Sequence, residues 1–452
     1  MKLGFLHQST EERRELILHG SIGKTLLLLS FPTLLMSVIM SLMPLMDGLF
    51  INNAAGTLVA SAVTYCDPII AMMTALAQGL SVAAMAIIGQ ANGQGDTERV
   101  RHICVQVVMF AFLMGFFLAP LSVLIAFPIS AHVDPEISRN VFLYIALYSL
   151  VLPFSFLESI YNAIKNATGK PEATFVRMLL MLFLKILFNY VFIYWMRLGI
   201  YGCIYSSLGA NALVCLWMFY ELFAMKSEDR LTLRGFRFDM PLIRQTVRVG
   251  VPSMISWLMV NFGFFLINNE IQKYGAVVLN GQGIASNITA VCFNLPSSFA
   301  SAVTTMVSIN IGADQPKNAR RSCLLGCAAS AVTAAGIIAL IVPLSPYLTI
   351  LFTHRPDVLA IANSALHIYT YSVIGFGVCM AVQGAFIGLG KTTVPLILGF
   401  LRIWLLRYLF ILATEHTLQY YSVFWGNLFS NYAAAAISLF LILRVKWHSA
   451  LR

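Results

Sequence analysis

Apolar residues in this chain come in long runs, separated by short polar stretches that carry most of its Lys and Arg. The runs fall at about 22–50, 57–88, 102–127, 137–164, 174–197 and 200–225, then at 246–269, 277–311, 323–350, 358–387, 393–413 and 420–444. Each holds roughly 20 residues or more, the length an α-helix needs to cross a bilayer. A backbone in lipid must satisfy its own hydrogen bonds, which leaves helices or a closed barrel. A barrel needs short strands of alternating polarity, and these runs, rich in Leu, Met, Ala and Phe, do not alternate. The pattern predicts an all-α polytopic membrane protein with twelve transmembrane helices.

Composition agrees. The chain has 452 residues, 59% of them hydrophobic and 11% charged. A soluble domain averages about 25% charged residues, and a soluble fold of this size could not hide so much apolar surface. Residues 1–21 are polar and lack the basic start and uninterrupted apolar core of a signal peptide, and are expected to form a cytoplasmic N-terminal segment. The eight Cys lie mostly inside apolar runs, without zinc or disulfide spacing, and read as small buried residues.

The net charge of +10 has a topological cause. Of the Lys and Arg, only Arg139, Arg197, Lys273, Arg355 and Arg407 fall on the side of the odd-numbered connectors, and Lys185 lies inside a span. All others sit with the termini and the even-numbered connectors. The positive-inside rule then puts both termini in the cytoplasm, in a plasma (inner) membrane, and an even number of spans follows. Nucleic acid is not needed to explain the charge.

The two halves repeat. Ser30-Phe31-Pro32 matches Gly250-Val251-Pro252 at an offset of 220, and Asn92-Gly93-Gln94 matches Ile311-Gly312-Ala313 at 219. Thr168-Gly169-Lys170 matches Leu389-Gly390-Lys391 at 221, and Tyr148-Ser149 matches Tyr371-Ser372 at 223. Each half therefore has six spans in the same orientation, a parallel repeat. The expected organisation is an N-lobe over 22–225, a basic cytoplasmic linker over 226–245 and a C-lobe over 246–452. Such a pair of lobes suits alternating access around a central cavity.

This plan resembles the MATE (multidrug and toxic compound extrusion) family, bacterial type. So do Pro32 followed fifteen residues later by Asp47, the connector GQGDTERV at 93–100 with its echo GADQPKNA, and ATGKPEA at 167–173 with its echo GLGKTTV. The resemblance implies two six-helix bundles. It also implies secondary active efflux of organic cations or other small-molecule amphipathic substrates, by antiport with H+ or Na+. Membrane lipid is the other partner expected.

Ionisable groups inside spans are costly and mark functional sites. The first half carries Asp47, Asp67, Glu158 and Lys185. Asp47 stands where the family has its first-helix Asp. Lys185 and Asn189 stand where an archaeal branch has an Asn and an Asp that bind the cation, and Ser207 where the sixth helix has a hydroxyl. The i, i+4 spacing sets Lys185 and Asn189 on one helix face. An ammonium in place of an oxygen ligand suits Na+ poorly, so H+ is the favoured coupling ion, with Lys185 paired to Asp47 or Glu158. Arg402 and Arg407, nearer the ends of span 11, are expected to snorkel as interfacial anchors, leaving the intramembrane charge to the first half. Pro32 is a candidate helix bend. Tyr65, Phe154, Tyr161, Phe264 and Phe293 are candidate cavity aromatics.

Other chemistry is excluded by pattern. Gly388-Leu389-Gly390-Lys391-Thr392 lacks the first Gly of a phosphate-binding loop, since residue 385 is Ala, and no strand precedes it. ATP is therefore not expected as a partner. No catalytic or metal-ligand grouping suggests an enzyme or a cofactor. The alternatives are a lipid-linked oligosaccharide flippase of the same superfamily and a transport-inactive membrane scaffold.

Overall fold

A computed structural model describes residues 10–51, 57–131, 135–225, 230–274, 276–351 and 354–450. A short amphipathic lead, α1 (Thr10–His19), precedes α2 (Ile22–Phe50), α3 (Thr57–Gly93), α4 (Thr97–Ala131), α5 (Pro135–Tyr148) and α6 (Leu152–Ala167). Then come α7 (Pro171–Phe188), α8 (Ile200–Phe219), α9 (Met240–Gln272), α10 (Ala276–Ser297) and α11 (Phe299–Gly312). The chain closes with α12 (Pro316–Ile350), α13 (Pro356–Gly388), α14 (Thr393–Phe400), α15 (Leu409–Leu418) and α16 (Tyr421–Arg444). Some spans are built from two helices: α5 and α6 join through a 3-10 turn at Ser149–Val151, and α14 and α15 through a π-helical stretch at Leu401–Tyr408. A second π-helical stretch, Asn189–Trp195, extends α7. Twelve of the described segments are long and apolar enough to cross a membrane. The protein is an all-α multi-pass membrane protein, as the apolar runs predict.

The chain forms two compact units. The first holds Ile39–Met254 with the stretch up to Arg14; the second holds Glu15–Val38 with the stretch from Ile255 onward. The first part of α2 therefore groups with the second unit, and the start of α9 with the first. The sequence assignment keeps each of these helices whole, because tertiary packing within a helix leaves no mark on hydropathy.

In the second unit α13 is central, packed on α10, α11, α12 and α16. Small residues permit this, because without a hydrophobic drive in lipid helices associate by close backbone approach. A Cβ on Gly384 would stand 2.4 Å from the Ala300 carbonyl oxygen, and one on Gly375 2.9 Å from the backbone of Asn431. The Thr304 hydroxyl donates to the Gly384 carbonyl at 2.9 Å, tying α11 to α13. In the first unit α6 packs on α3 and α4.

The repeat is written in the backbone as well. Gly95 (φ 78°) and Asp314 (φ 55°) are related by 219 residues, Gly169 (φ 76°) and Gly390 (φ 78°) by 221, and Arg197 (φ 52°) and Gln419 (φ 50°) by 222. Gly169 and Gly390 both stop helices in the same way. Gly169 donates to Asn166 and Lys170 to Lys165; Gly390 donates to Ile387 and Lys391 to Phe386. These paired bonds satisfy the last carbonyls of a helix and need a left-handed residue, which Gly adopts without penalty. The Gly-Lys motif that resembles a phosphate loop is a helix stop used twice.

Candidate functional site

In the first unit, α2, α7 and α8 bring one carboxylate, one ammonium and three neutral polar groups together. Lys185 Nζ lies 3.0 Å from Asp47 Oδ2. Asn189 Nδ2 donates to Asp47 Oδ1 at 2.7 Å. Lys185 also donates to Ser207 Oγ at 2.9 Å, and Ser207 donates on to the Cys203 carbonyl. Ser206 Oγ donates to Asn189 Oδ1 at 2.5 Å, which orients the amide with its NH2 toward the carboxylate. Lys185 and Asn189 share a helix face as their spacing requires, and Asn189 opens the π-helical stretch. The side chains of Lys185 and Asp47 are 13% and 30% exposed, whereas Asn189, Ser206 and Ser207 are buried.

Both oxygens of Asp47 are thus occupied by N–H donors. A Na+ ion needs oxygen ligands, and here the groups facing Asp47 present hydrogens. Ser206 is a member that the sequence reading missed. Its signal was its adjacency to Ser207: consecutive residues on α8 serve the two consecutive turns of α7.

Glu158 is not part of this network. Its Oε2 accepts from Arg177 at 2.6 Å, and Arg177 Nε donates to Asn162 at 3.0 Å. The choice between Asp47 and Glu158 as partner of Lys185 falls to Asp47. Arg177, read from sequence as part of the basic end, is buried and neutralises Glu158. Two further ion pairs lie nearby along the chain's basic connectors: Arg13 with Glu172 at 2.6 Å, and Lys165 with Glu221 at 2.6 Å. Tyr161 donates to Glu221 at 2.5 Å, its ring lies 6.0 Å from that of Trp217 and tilted to it, and the side chain is buried. A cavity of about 490 Å³ opens among Arg14, Arg101, Lys165, Lys170, Trp217 and Glu221. Phe154 is half-buried, and its carbonyl accepts from the Cys215 thiol. The side chains of Asp67 and Tyr65 lie outside the described residues.

Pro32 continues inside α2 without breaking it, in the part that packs in the second unit. Its ring removes one backbone N–H, so the carbonyl one turn earlier loses a donor. One residue on, the Thr33 hydroxyl bonds to the Ser30 carbonyl at 2.8 Å.

The second unit departs from expectation. Arg402 and Arg407 are not snorkelling anchors; they are 8% and 7% exposed, within a span running Thr393–Leu418. Arg402 donates to Asn431 Oδ1 at 3.2 Å, and Asn431 in turn donates to Ser372 and Asn427. The Arg402 guanidinium lies over the Phe376 ring at 4.9 Å, with Phe293 against that ring at 4.7 Å. Arg407 lies over Phe264 at 5.7 Å. Intramembrane charge is therefore present in both halves. An α-helix would turn residues five apart by about 140°, whereas π-helical bonding from i to i+5 returns them toward one face. The π-helical stretch Leu401–Tyr408 contains both arginines, a local geometry that hydropathy does not register.

The family model MatE matches this chain twice, at residues 32–191 and 252–412. The chain belongs to the MatE family. The two matches start at Pro32 and Pro252, the same pair that anchors the internal repeat. The chain is 24% identical over 436 residues to the probable multidrug resistance protein YoeA of Bacillus subtilis (strain 168), covering 93% of each chain. It is 26% identical over 393 residues to the multidrug resistance protein PmpM of Pseudomonas aeruginosa, covering 84% of this chain and 81% of the relative. Its fold matches that of an outward-facing multidrug resistance MATE family transporter of the MOP superfamily, with a TM-score of 0.89 at 22% identity, over 94% of this chain and 96% of that one. As a member of this family of ion-coupled multidrug efflux transporters, the protein is a membrane transporter and not an enzyme.

Proposed function

We propose that this MatE protein is a proton-coupled antiporter that exports amphipathic small molecules across the plasma membrane, its basic end and both termini facing the cytoplasm. The carrying observation is the occupancy of Asp47, one oxygen on the Lys185 ammonium at 3.0 Å and the other on the Asn189 amide at 2.7 Å. An ammonium beside a carboxylate favours the ionised acid; separating them removes that support and favours a proton. A conformational step that parts α2 from α7 is thereby linked to proton uptake by Asp47. Its reversal returns Lys185 to the carboxylate and expels the proton. Na+ has no role in this exchange, because Lys185 stands where an oxygen ligand would be needed. The N-lobe of residues 22–225 carries the coupling step, and the helix bend at Pro32 is its candidate hinge.

Transport by the purified protein in liposomes tests this reading. An imposed pH gradient should drive uptake of an amphipathic fluorescent substrate, and a Na+ gradient at equal pH should not. Asp47→Asn should abolish the response. Transport that follows a Na+ gradient and ignores the pH gradient would overturn the proposal.

A further inference from the structure

We infer that the second unit holds a binding site for an oxyanion carried on an apolar body, formed by Arg402 and Arg407. Only the site's role as a substrate site rests on the transport reading; its existence does not. Three observations carry it.

The first is a charge imbalance. The second unit contains five acidic residues, Glu15, Glu270, Asp314, Asp357 and Glu415, all of them described. None forms an ion pair with either arginine. Glu270 is bound by Lys273 and approached by the Tyr408 hydroxyl at 3.5 Å, Asp357 by Arg355, and Glu15 faces His19. A guanidinium cannot shed its proton to escape burial. Buried intramembrane charges are matched by a counter-charge or mark a substrate path, and here the matching charge is absent from the unit's own side chains.

The second is orphaned hydrogen-bonding capacity. Nε of Arg402 and Nε of Arg407 are buried without a hydrogen-bond partner among the described residues. Tyr369 and Arg402 are the electrostatic neighbours of Arg407. Each guanidinium has one face covered by a Phe ring, which leaves its in-plane N–H edge as the binding direction. That edge is the geometry that takes a carboxylate, sulfonate or phosphate in a paired fashion.

The third is the repeat. Offsets of 221 at Gly390 and 222 at Gln419 bracket Lys185, so its counterpart is Leu406 or Arg407. The offsets around Asp47, 220 at Pro32 and 219 at Gly95, give its counterpart as Leu266 or Ile267. The second half keeps a cation on the equivalent span and lacks the acid that neutralises it in the first. Phe264, Phe293 and Phe376 supply the apolar surroundings for the ligand's body. The cationic cargo implied by family resemblance is thus replaced, for this unit, by an anionic one.

Equilibrium binding by the full-length protein, which needs no transport, tests the inference. The probes are naphthalene-2-sulfonate and the 2-naphthylmethylammonium cation, titrated calorimetrically in nanodiscs of phosphatidylcholine. Wild type should bind the sulfonate at least tenfold more tightly than the ammonium. Arg402→Gln and Arg407→Gln should each weaken sulfonate binding at least tenfold, and Asp47→Asn should leave it within twofold. If a Gln variant does not fold, Arg402→Lys and Arg407→Lys serve, each expected to lose at least threefold because Lys cannot make the paired contact. Nanodiscs with added phosphatidylglycerol separate the sources of the anion: competition with the sulfonate points to a lipid phosphate, and its absence to a soluble amphipathic anion. No saturable sulfonate binding by wild type, or equal binding in wild type and the arginine variants, would overturn the site. Loss of proton-coupled transport in the liposome assay with sulfonate binding intact would instead remove the transport reading alone.

Discussion

Deleting the Lys185 ammonium tests the central ion pair most directly. Lys185→Met keeps the length of the side chain and removes its charge, leaving Asp47 with the Asn189 amide alone. Removing one partner of a fully buried pair costs about 3–5 kcal/mol, and of a surface pair at most ~1 kcal/mol. With side-chain exposures of 13% for Lys185 and 30% for Asp47, the pair lies between these limits. A loss of roughly 2 kcal/mol follows. For an unfolding unit of about 200 residues that is a fall of roughly 4–8 °C in Tm. Asp47→Asn alone should cost a similar amount, because it strands the ammonium on Ser207. The double variant carries no stranded charge, so it should recover at least ~1 kcal/mol of the summed loss. The assay is thermal unfolding of the detergent-purified protein at pH 7, followed by tryptophan fluorescence for wild type, both singles and the double. Strict additivity, with the double losing the sum of the singles, would show that the two groups do not interact and would remove the coupling argument with them.

Other outcomes follow from packing and backbone. Arg177→Gln strands the buried Glu158 and should cost about 3–5 kcal/mol, most of it restored by adding Glu158→Gln, with the coupling ion unchanged in the liposome assay. Gly384→Ala puts a Cβ 2.4 Å from the Ala300 carbonyl oxygen, and chemical denaturation should register a loss of about 1–3 kcal/mol from overpacking. Asp314 occupies at φ 55° a turn position that Gly95 fills in the first half. Asp314→Gly should therefore stabilise slightly or be neutral in Tm, whereas Gly169→Ala should cost about 1–2 kcal/mol.

Features governed by local rules were legible in the sequence. Hydropathy located every span, and duplicated Gly-Lys motifs marked two helix stops that the backbone shares down to their hydrogen bonds. The shared face of Lys185 and Asn189 was legible from their i, i+4 spacing, whereas Asp47 was marked by the family resemblance and left open with Glu158 as the partner of Lys185. Arg402 and Arg407 defeated the same logic. Five residues apart, they diverge on an α-helix and converge only on a π-helical stretch, and their distance from the span ends suggested snorkelling. The partner of Glu158 was missed because Arg177 sat close enough to a basic connector to be counted with it. The division of α2 and α9 between compact units depends on which neighbours each half-helix meets, and a linear pattern cannot carry that.

The two polar clusters share a design with different consequences. Both place a cation on the fifth span of their half, and in both that span carries a π-helical stretch, Asn189–Trp195 in one and Leu401–Tyr408 in the other. Such stretches weaken the regular bonding ladder and recur at functional sites. In the first half the cation meets an acid on α2, so the cluster closes on itself electrically and can exchange one proton for one ion pair. In the second the acid's position is apolar, so the cluster stays open to an external anion. The halves therefore differ at the position facing this cation, acidic in the first and apolar in the second. Introducing the acid should therefore close the second cluster. Ile267→Asp is expected to weaken naphthalene-2-sulfonate binding at least tenfold while leaving pH-driven transport of uncharged amphipathic substrates in place. Undiminished sulfonate binding in that variant would show that the two halves are not related through these charges.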